Sequence, residues 1–250
     1  MMRAAWLLLA GLLATPVSSH ASDPSALWNI VNGQCVPHEL GGRDPSPCSD
    51  VDLANGVDKG FAVLKDRKGI AQFLLIPTAR ISGIDDPAIL APDAPNYWED
   101  AWRARYFVEG RLEVELPRDA LALAINSSVG RSQDQLHIHI DCIRPDVRDA
   151  LAANRDKIAD VWTPFPALLA GHRYRAIRIP HEMLDGANPF RMLADTGVSD
   201  IGQHTLVLIG TTAADGDRGF VLLDDHADLL TGDRASGEEL QDHTCAVART

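Results

Sequence analysis

The run Gln135-Leu136-His137-Ile138-His139-Ile140-Asp141 alternates polar and apolar residues without a break. As a β-strand it points Leu136, Ile138 and Ile140 to one side and both imidazoles to the other. Alternate residues of a strand lie about 6.5–7 Å apart, so one ring can attack a phosphorus while the other donates to a phosphate oxygen or the leaving group. The same pair occurs in metal sites and on ordinary surface strands. With Asp141 it offers ligands for a metal-dependent phosphoesterase, although no H-E-x-x-H or other companion cluster accompanies it. The preceding loop, Asn126-Ser127-Ser128-Val129-Gly130-Arg131-Ser132-Gln133, combines a glycine with hydroxyl, amide and guanidinium donors. Such a loop can wrap a phosphate and support charge that builds up in a transition state. Taken alone it is equally a polar hairpin loop.

The elements that must position this strand follow from patterning. Gly60–Lys65 and Ala71–Pro77 are strands joined by the turn-rich Asp66-Arg67-Lys68-Gly69, which predicts an antiparallel hairpin. Leu27–Gln34 is a short helix, residues 78–95 a Pro- and Asp-rich connection, and Asn96–Val108 an amphipathic helix with Trp98, Trp102, Tyr106 and Phe107 at helical spacing. Ala120–Ile125 and Gln135–Ile140 form a strand-loop-strand unit, and a helix starting at Pro145 runs to about Asp160. His172–Ile179, Thr205–Thr211 and Gly219–Leu223 are strands, with a helix at Pro189–Thr196. Another helix starts at Ser236, with Glu239 completing a capping box. No internal repeat, low-complexity tract or linker is present, so residues 22–250 form one compact α+β domain.

The chain has 250 residues, 46% hydrophobic and 23% charged, with a formal charge of -12. It falls among globular proteins, and its acidity argues against a nucleic-acid partner, which calls for a basic excess. Residues 1–21 resemble an export signal, with Arg3, an apolar Ala4–Ala14 and Ser19-His20-Ala21 as the cleavage site. A periplasmic or secreted protein follows; the alternative is an uncleaved N-terminal inner-membrane anchor. Export favours disulfides for the four cysteines, with three pairings open. Cys35 and Cys48 flank a short Gly/Pro/Asp-rich stretch, which makes a local bridge the simplest choice and leaves Cys142 with Cys245.

The strand is similar to the histidine-triad motif. The run from Leu123 through Asn126, Arg131, Ser132, His137, His139, Cys142, Arg144 and Pro145 to Arg148 resembles the bacterial CDP-diacylglycerol pyrophosphatases. Further matching pieces are Pro45–Cys48, Val63–Asp66, Leu75–Ile81, Phe220–Leu223 and Glu239–Cys245. The resemblance implies a histidine-triad-like antiparallel sheet with packed helices and additional C-terminal strands. It also implies hydrolysis of CDP-diacylglycerol to CMP and phosphatidate through a nucleotidyl-histidine.

In that scheme His137, at the middle place, is the nucleophile and His139 takes the third place. Gln135 stands where the family would usually carry the first histidine, and can still donate and accept hydrogen bonds. Asn126 and Ser132 would hold phosphate oxygens, and Arg131 or Arg144 would answer the pyrophosphate charge. For Arg144 and Arg148 a solvated helix start is the competing account. Lys65, Arg80, Trp98 and Trp102 are candidates for a substrate groove at a membrane surface, core packing being the competing account for both tryptophans. The mechanism requires neither metal nor other cofactor. His38, His172, His181, His204, His226 and His243 show no ligand spacing and are surface or structural. The alternatives are hydrolysis of other nucleotide diphosphate compounds, the metal-dependent chemistry above, and an exported lipid- or nucleotide-binding protein without turnover.

Overall fold

A computed structural model describes residues 23–213 and 215–249; the expected export signal lies outside them. Nine strands pair antiparallel in one sheet: β1 (Asp50–Asp52), β2 (Phe61–Lys65), β3 (Phe73–Pro77), β4 (Leu121–Ile125), β5 (Ile138–Cys142), β6 (Thr163–Pro164), β7 (Arg175–Ile179), β8 (His204–Thr212) and β9 (Arg218–His226). Their order is β1-β2-β3-β5-β4-β8-β9-β7-β6. The α+β class and the β2–β3 hairpin are as expected. The sheet closes on very short strands, three residues in β1 and two in β6, the latter ending in Pro164.

One face of the sheet is the main core. Leu121, Leu123, Ile138, Ile140 and Phe220 pack there with the fully buried Trp98 and Trp102 of helix α3 (Tyr97–Arg103). The expected helix over 96–108 is two helices, α3 and α4 (Tyr106–Leu112). Arg105 turns back between them and its Nη1 donates to the Trp102 carbonyl at 2.7 Å, satisfying a group a continuing helix would have used. At the β2–β3 end, Ala62, Leu64, Leu74 and Ile76 face a helical run. That run comprises Ala26–Ile30, a π-helical Val31–Cys35 and Val36–Leu40. The bridge Cys35–Cys48 closes this layer, and Cys142–Cys245 ties the end of β5 to the C-terminal segment.

Several boundaries differ from sequence expectation. The helix from Pro145 stops at Ala153, where Asn154 Nδ2 caps the Ala150 carbonyl at 2.9 Å. The segment after Ser236 is a 3-10 turn, Gly237–Leu240, without the capping box. Ser236 Oγ donates instead to Asn126 Oδ1 at 3.2 Å. β5 begins at Ile138 rather than Gln135, because residues 135 and 136 bond to the corner after β3: Leu136 N donates to the Ile81 carbonyl at 2.6 Å.

Candidate active site

On the face opposite the main core, His139 sits in register between Leu74 of β3 and Ala124 of β4, with Asp141 opposite Ala122. The small alanines leave room for the Gly237–Leu240 turn to lie on the sheet beside the histidine strand. A Cβ on Gly237 would meet Thr205 Oγ1 at 2.7 Å and Val207 Cγ2 at 2.8 Å, so only glycine permits this approach. Gly130 does the same for the loop after β4: its Cβ position lies 2.9 Å from the Arg234 carbonyl.

The two imidazoles are 4.8 Å apart between centroids and tilted by 68°. His137 Nδ1 lies 2.7 Å from the Gln135 carbonyl, which can only accept, so Nδ1 carries the proton and Nε2 keeps its lone pair. Burial is the main cause lowering the His137 pKa, and this holds the ring neutral. His139 has the opposite tautomer. The Gln72 Nε2 amide donates to its Nδ1 at 3.0 Å and reaches Glu238 Oε1 at 3.4 Å, so the His139 proton is on Nε2. That Nε2 is buried and without a partner. His139 is also pushed well down, by burial first.

Glu238 is the acid of the site. Burial acts to raise its pKa, but the His139 ring, the Asn126 amide, Lys68 and the Gln72 amide outweigh it and keep the carboxylate ionised. Because His139 is itself neutral, we assign the hold to Asn126 Nδ2, donating at 2.8 Å, and to Lys68 Nζ at 3.9 Å. His243 Nδ1 pairs with the buried Asp141 at 2.7 Å, and this hydrogen bond raises its pKa.

The remaining sequence candidates fall in several places. Asn126 is in the site, buried against Glu238. Gln135 is fully buried, and its Nε2 donates to the Pro77 and Ala79 carbonyls at 3.0 and 2.8 Å, so its amide anchors the strand entry. Arg131 pairs with Asp85 and, at 3.4 Å, with Asp134; Ser132 is exposed beside it. Arg144 pairs with Asp146 at 2.7 Å and donates to the Glu239 carbonyl at 3.2 Å. Lys65 spends its ammonium on the Asp66 and Gly69 carbonyls of its own hairpin turn. Arg80 stacks over Trp28 at 5.1 Å. Trp98 and Trp102 are corrected from groove to core: both are completely buried and have no surface to offer a substrate. Asp141 is turned to His243, and the three groups of ligand atoms that converge among the described residues do not contain His137 or His139.

Gln72, Glu238 and Lys68 were not singled out from sequence, and His243 was read there as surface or structural. The signal for His243 was the Cys142–Cys245 pairing, which lays residues 241–245 beside the end of β5. Gln241 Nε2 accordingly donates to the His139 carbonyl at 3.2 Å.

An α+β protein that buries two imidazoles side by side, with a carboxylate and two amides about them, carries the groups of a hydrolase site. Residues 22–249 match the profile of the CDP-diacylglycerol pyrophosphatase family. A CDP-diacylglycerol pyrophosphatase of Yersinia pestis is 45% identical over 229 residues, covering 90% of this chain and 86% of that one. The chain therefore belongs to the CDP-diacylglycerol pyrophosphatase family.

Proposed function

We propose that this chain hydrolyses the pyrophosphate bond of CDP-diacylglycerol, releasing CMP and phosphatidate through a cytidylyl-histidine. The observation that carries the reading is the hydrogen bond from His137 Nδ1 to the Gln135 carbonyl, which leaves Nε2 as a free lone pair on a neutral ring. His137 Nε2 attacks the phosphorus of the CMP moiety. The bond from that phosphorus to the bridging oxygen breaks, and its electron pair leaves with phosphatidate. The buried Nε2–H of His139 donates to the phosphate oxygen that gains charge. Water then attacks the same phosphorus, the N–P bond breaks with its electron pair returning to Nε2, the water proton passes to solvent, and CMP departs with His137 regenerated. Asn126 Nδ2 holds the Glu238 carboxylate, which also accepts from the Gln72 amide that bonds His139 Nδ1, and Lys68 Nζ stands 3.9 Å from it. No step calls for a metal.

The test is chemical trapping: CDP-diacylglycerol labelled in the CMP phosphate, quenched within one turnover, leaves an acid-labile label on the wild type. His137→Ala leaves none and loses several orders of magnitude in turnover. His139→Ala still labels, about 10²–10⁴-fold more slowly. A His137→Ala protein that labels at the normal rate would falsify the assignment.

A further inference from the structure

We propose that His172, Asp225 and Asp233, with Glu239 at their rim, bind one zinc-class divalent cation that braces the turn carrying Glu238. The three side chains come from separate parts of the fold: the 169–172 turn, β9, and the end of the 228–233 turn. One ligand atom from each lies within 4.8 Å of the others. His172 Nδ1 is 3.5 Å from Asp233 Oδ1 and 2.8 Å from Glu239 Oε1, which also accepts from the Tyr174 hydroxyl at 2.7 Å. The group lines a cleft of about 750 Å³ at the β7–β9 end of the sheet.

The charge balance points to a cation. Asp225 and Asp233 are 6% and 7% exposed, and among the described residues neither has a lysine or arginine partner. Arg175 gives its Nε to Asp224 at 2.5 Å, and although it and Arg173 border the cleft, neither forms an ion pair with Asp225 or Asp233. Asp225 Oδ1 accepts the His226 N–H at 2.9 Å, but Oδ2 is buried with no donor. A buried carboxylate oxygen left unpaired beside a second acid is costly unless a proton or a metal ion lies between them. One imidazole nitrogen with two or three carboxylate oxygens is a zinc or manganese donor set. Zinc ligands at about 2.0–2.2 Å sit roughly 3.5 Å from one another, so the side chains need to draw in by no more than about 1 Å.

A second group of converging atoms, Asp200, His204 and His226, is already answered internally. His226 Nε2 pairs with Asp200 at 2.8 Å, and His204 Nδ1 with Asp224 at 2.8 Å. The consequence of filling the first site is local to the active-site turn. Glu239 is bonded to His172 on one side of it, while on the other the adjacent Glu238 accepts from the Gln72 amide that also bonds His139.

The test uses the full chain, stripped with chelator and titrated with ZnCl2 by calorimetry and thermal melting. The wild type is expected to bind one zinc tightly and melt higher, and Asp200→Ala and His226→Gln to do the same. Asp225→Asn and Asp233→Asn should weaken zinc by about 100-fold or more. Without zinc, Asp225→Asn should melt at or above the wild-type temperature, because the facing acids no longer repel. Zinc-edge X-ray absorption of the loaded wild type should show one imidazole in the shell, which decides the matter even where a variant fails to fold. Zinc binding lost in Asp200→Ala but kept in Asp225→Asn, two imidazoles in the shell, or no binding at millimolar zinc would each overturn the proposal. The last result would leave a proton shared between the two acids as the account.

Discussion

Replacing Gln135 tests how the nucleophile is held, because its backbone carbonyl fixes the His137 tautomer while its side chain pins the same residue to the corner after β3. Gln135→Ala removes two donors, one from the buried Pro77 carbonyl and one from the half-buried Ala79 carbonyl. At about 1–3 kcal/mol for each buried acceptor left unpaired, and with a cavity added, the loss should be about 3–5 kcal/mol of stability. Once the anchor is gone the Gln135 carbonyl is free to drift. A displacement of about 1 Å at a reacting group can cost about 10²-fold in turnover, so kcat should fall 10–100-fold with labelling of His137 retained. Gln135→His, which completes the His-x-His-x-His pattern, supplies one N–H from a neutral ring where the amide supplied two. It should therefore cost about 1–3 kcal/mol and leave the reaction class unchanged. Urea unfolding and single-turnover kinetics on the same preparations measure both quantities. If Gln135→Ala stays within about 0.5 kcal/mol of wild type and turns over normally, the anchoring role is wrong.

The acid limb of the pH profile should be shallow: His137 is neutral through burial, so kcat/KM at pH 5.5 should fall by less than the roughly tenfold expected of an ordinary imidazole of pKa about 6.5. Stability should move the other way from a salt-bridged histidine. Both site rings have lowered folded pKa values, so their contribution is full above about pH 6.5 and is lost as pH falls towards the about 3 of His139; a melting temperature flat from pH 7 to 4 would contradict this. Gly237→Ala forces a Cβ to within 2.7 Å of Thr205 Oγ1, and the displaced Glu238 should lower kcat about tenfold or more while overpacking costs about 1–3 kcal/mol; normal kinetics would remove the turn from the site. Opening the Cys142–Cys245 bridge with paired serines relaxes a loop of sequence separation 103, worth about 4–5 kcal/mol, against about 3 for the separation of 13 at Cys35–Cys48. The first pair should thus lower Tm more than the second, and the reverse order in scanning calorimetry would show that chain entropy does not govern these bridges.

The histidine pair, its loop and the antiparallel hairpin were legible in sequence because period-2 alternation and turn residues are local signals. Gln135 was not: it continues the alternation in type, yet the carbonyls it binds belong to a corner nearly sixty residues earlier, and these long-range bonds end the strand at Ile138. Glu238 and Gln72 reach His139 only after β3 and the Gly237–Leu240 turn have folded onto β5. Nothing local to either residue marks it. Trp98 and Trp102 show the converse, since an i, i+4 aromatic pair gives the same pattern on a groove and in a core, and only packing against Phe190 and Phe220 decides it.

The sheet's terminal strands also set how copies of this protein can meet. An open nine-stranded sheet with long borders would present rows of unpaired amides and carbonyls, a template for strand addition and fibrillar assembly. Here the border strand at one end is three residues flanked by Asp50 and Asp52, and at the other two residues ending in a proline that has no N–H to give. Edge-to-edge polymerisation is therefore discouraged at both ends, so the protein can reach high concentration without its sheet seeding aggregation.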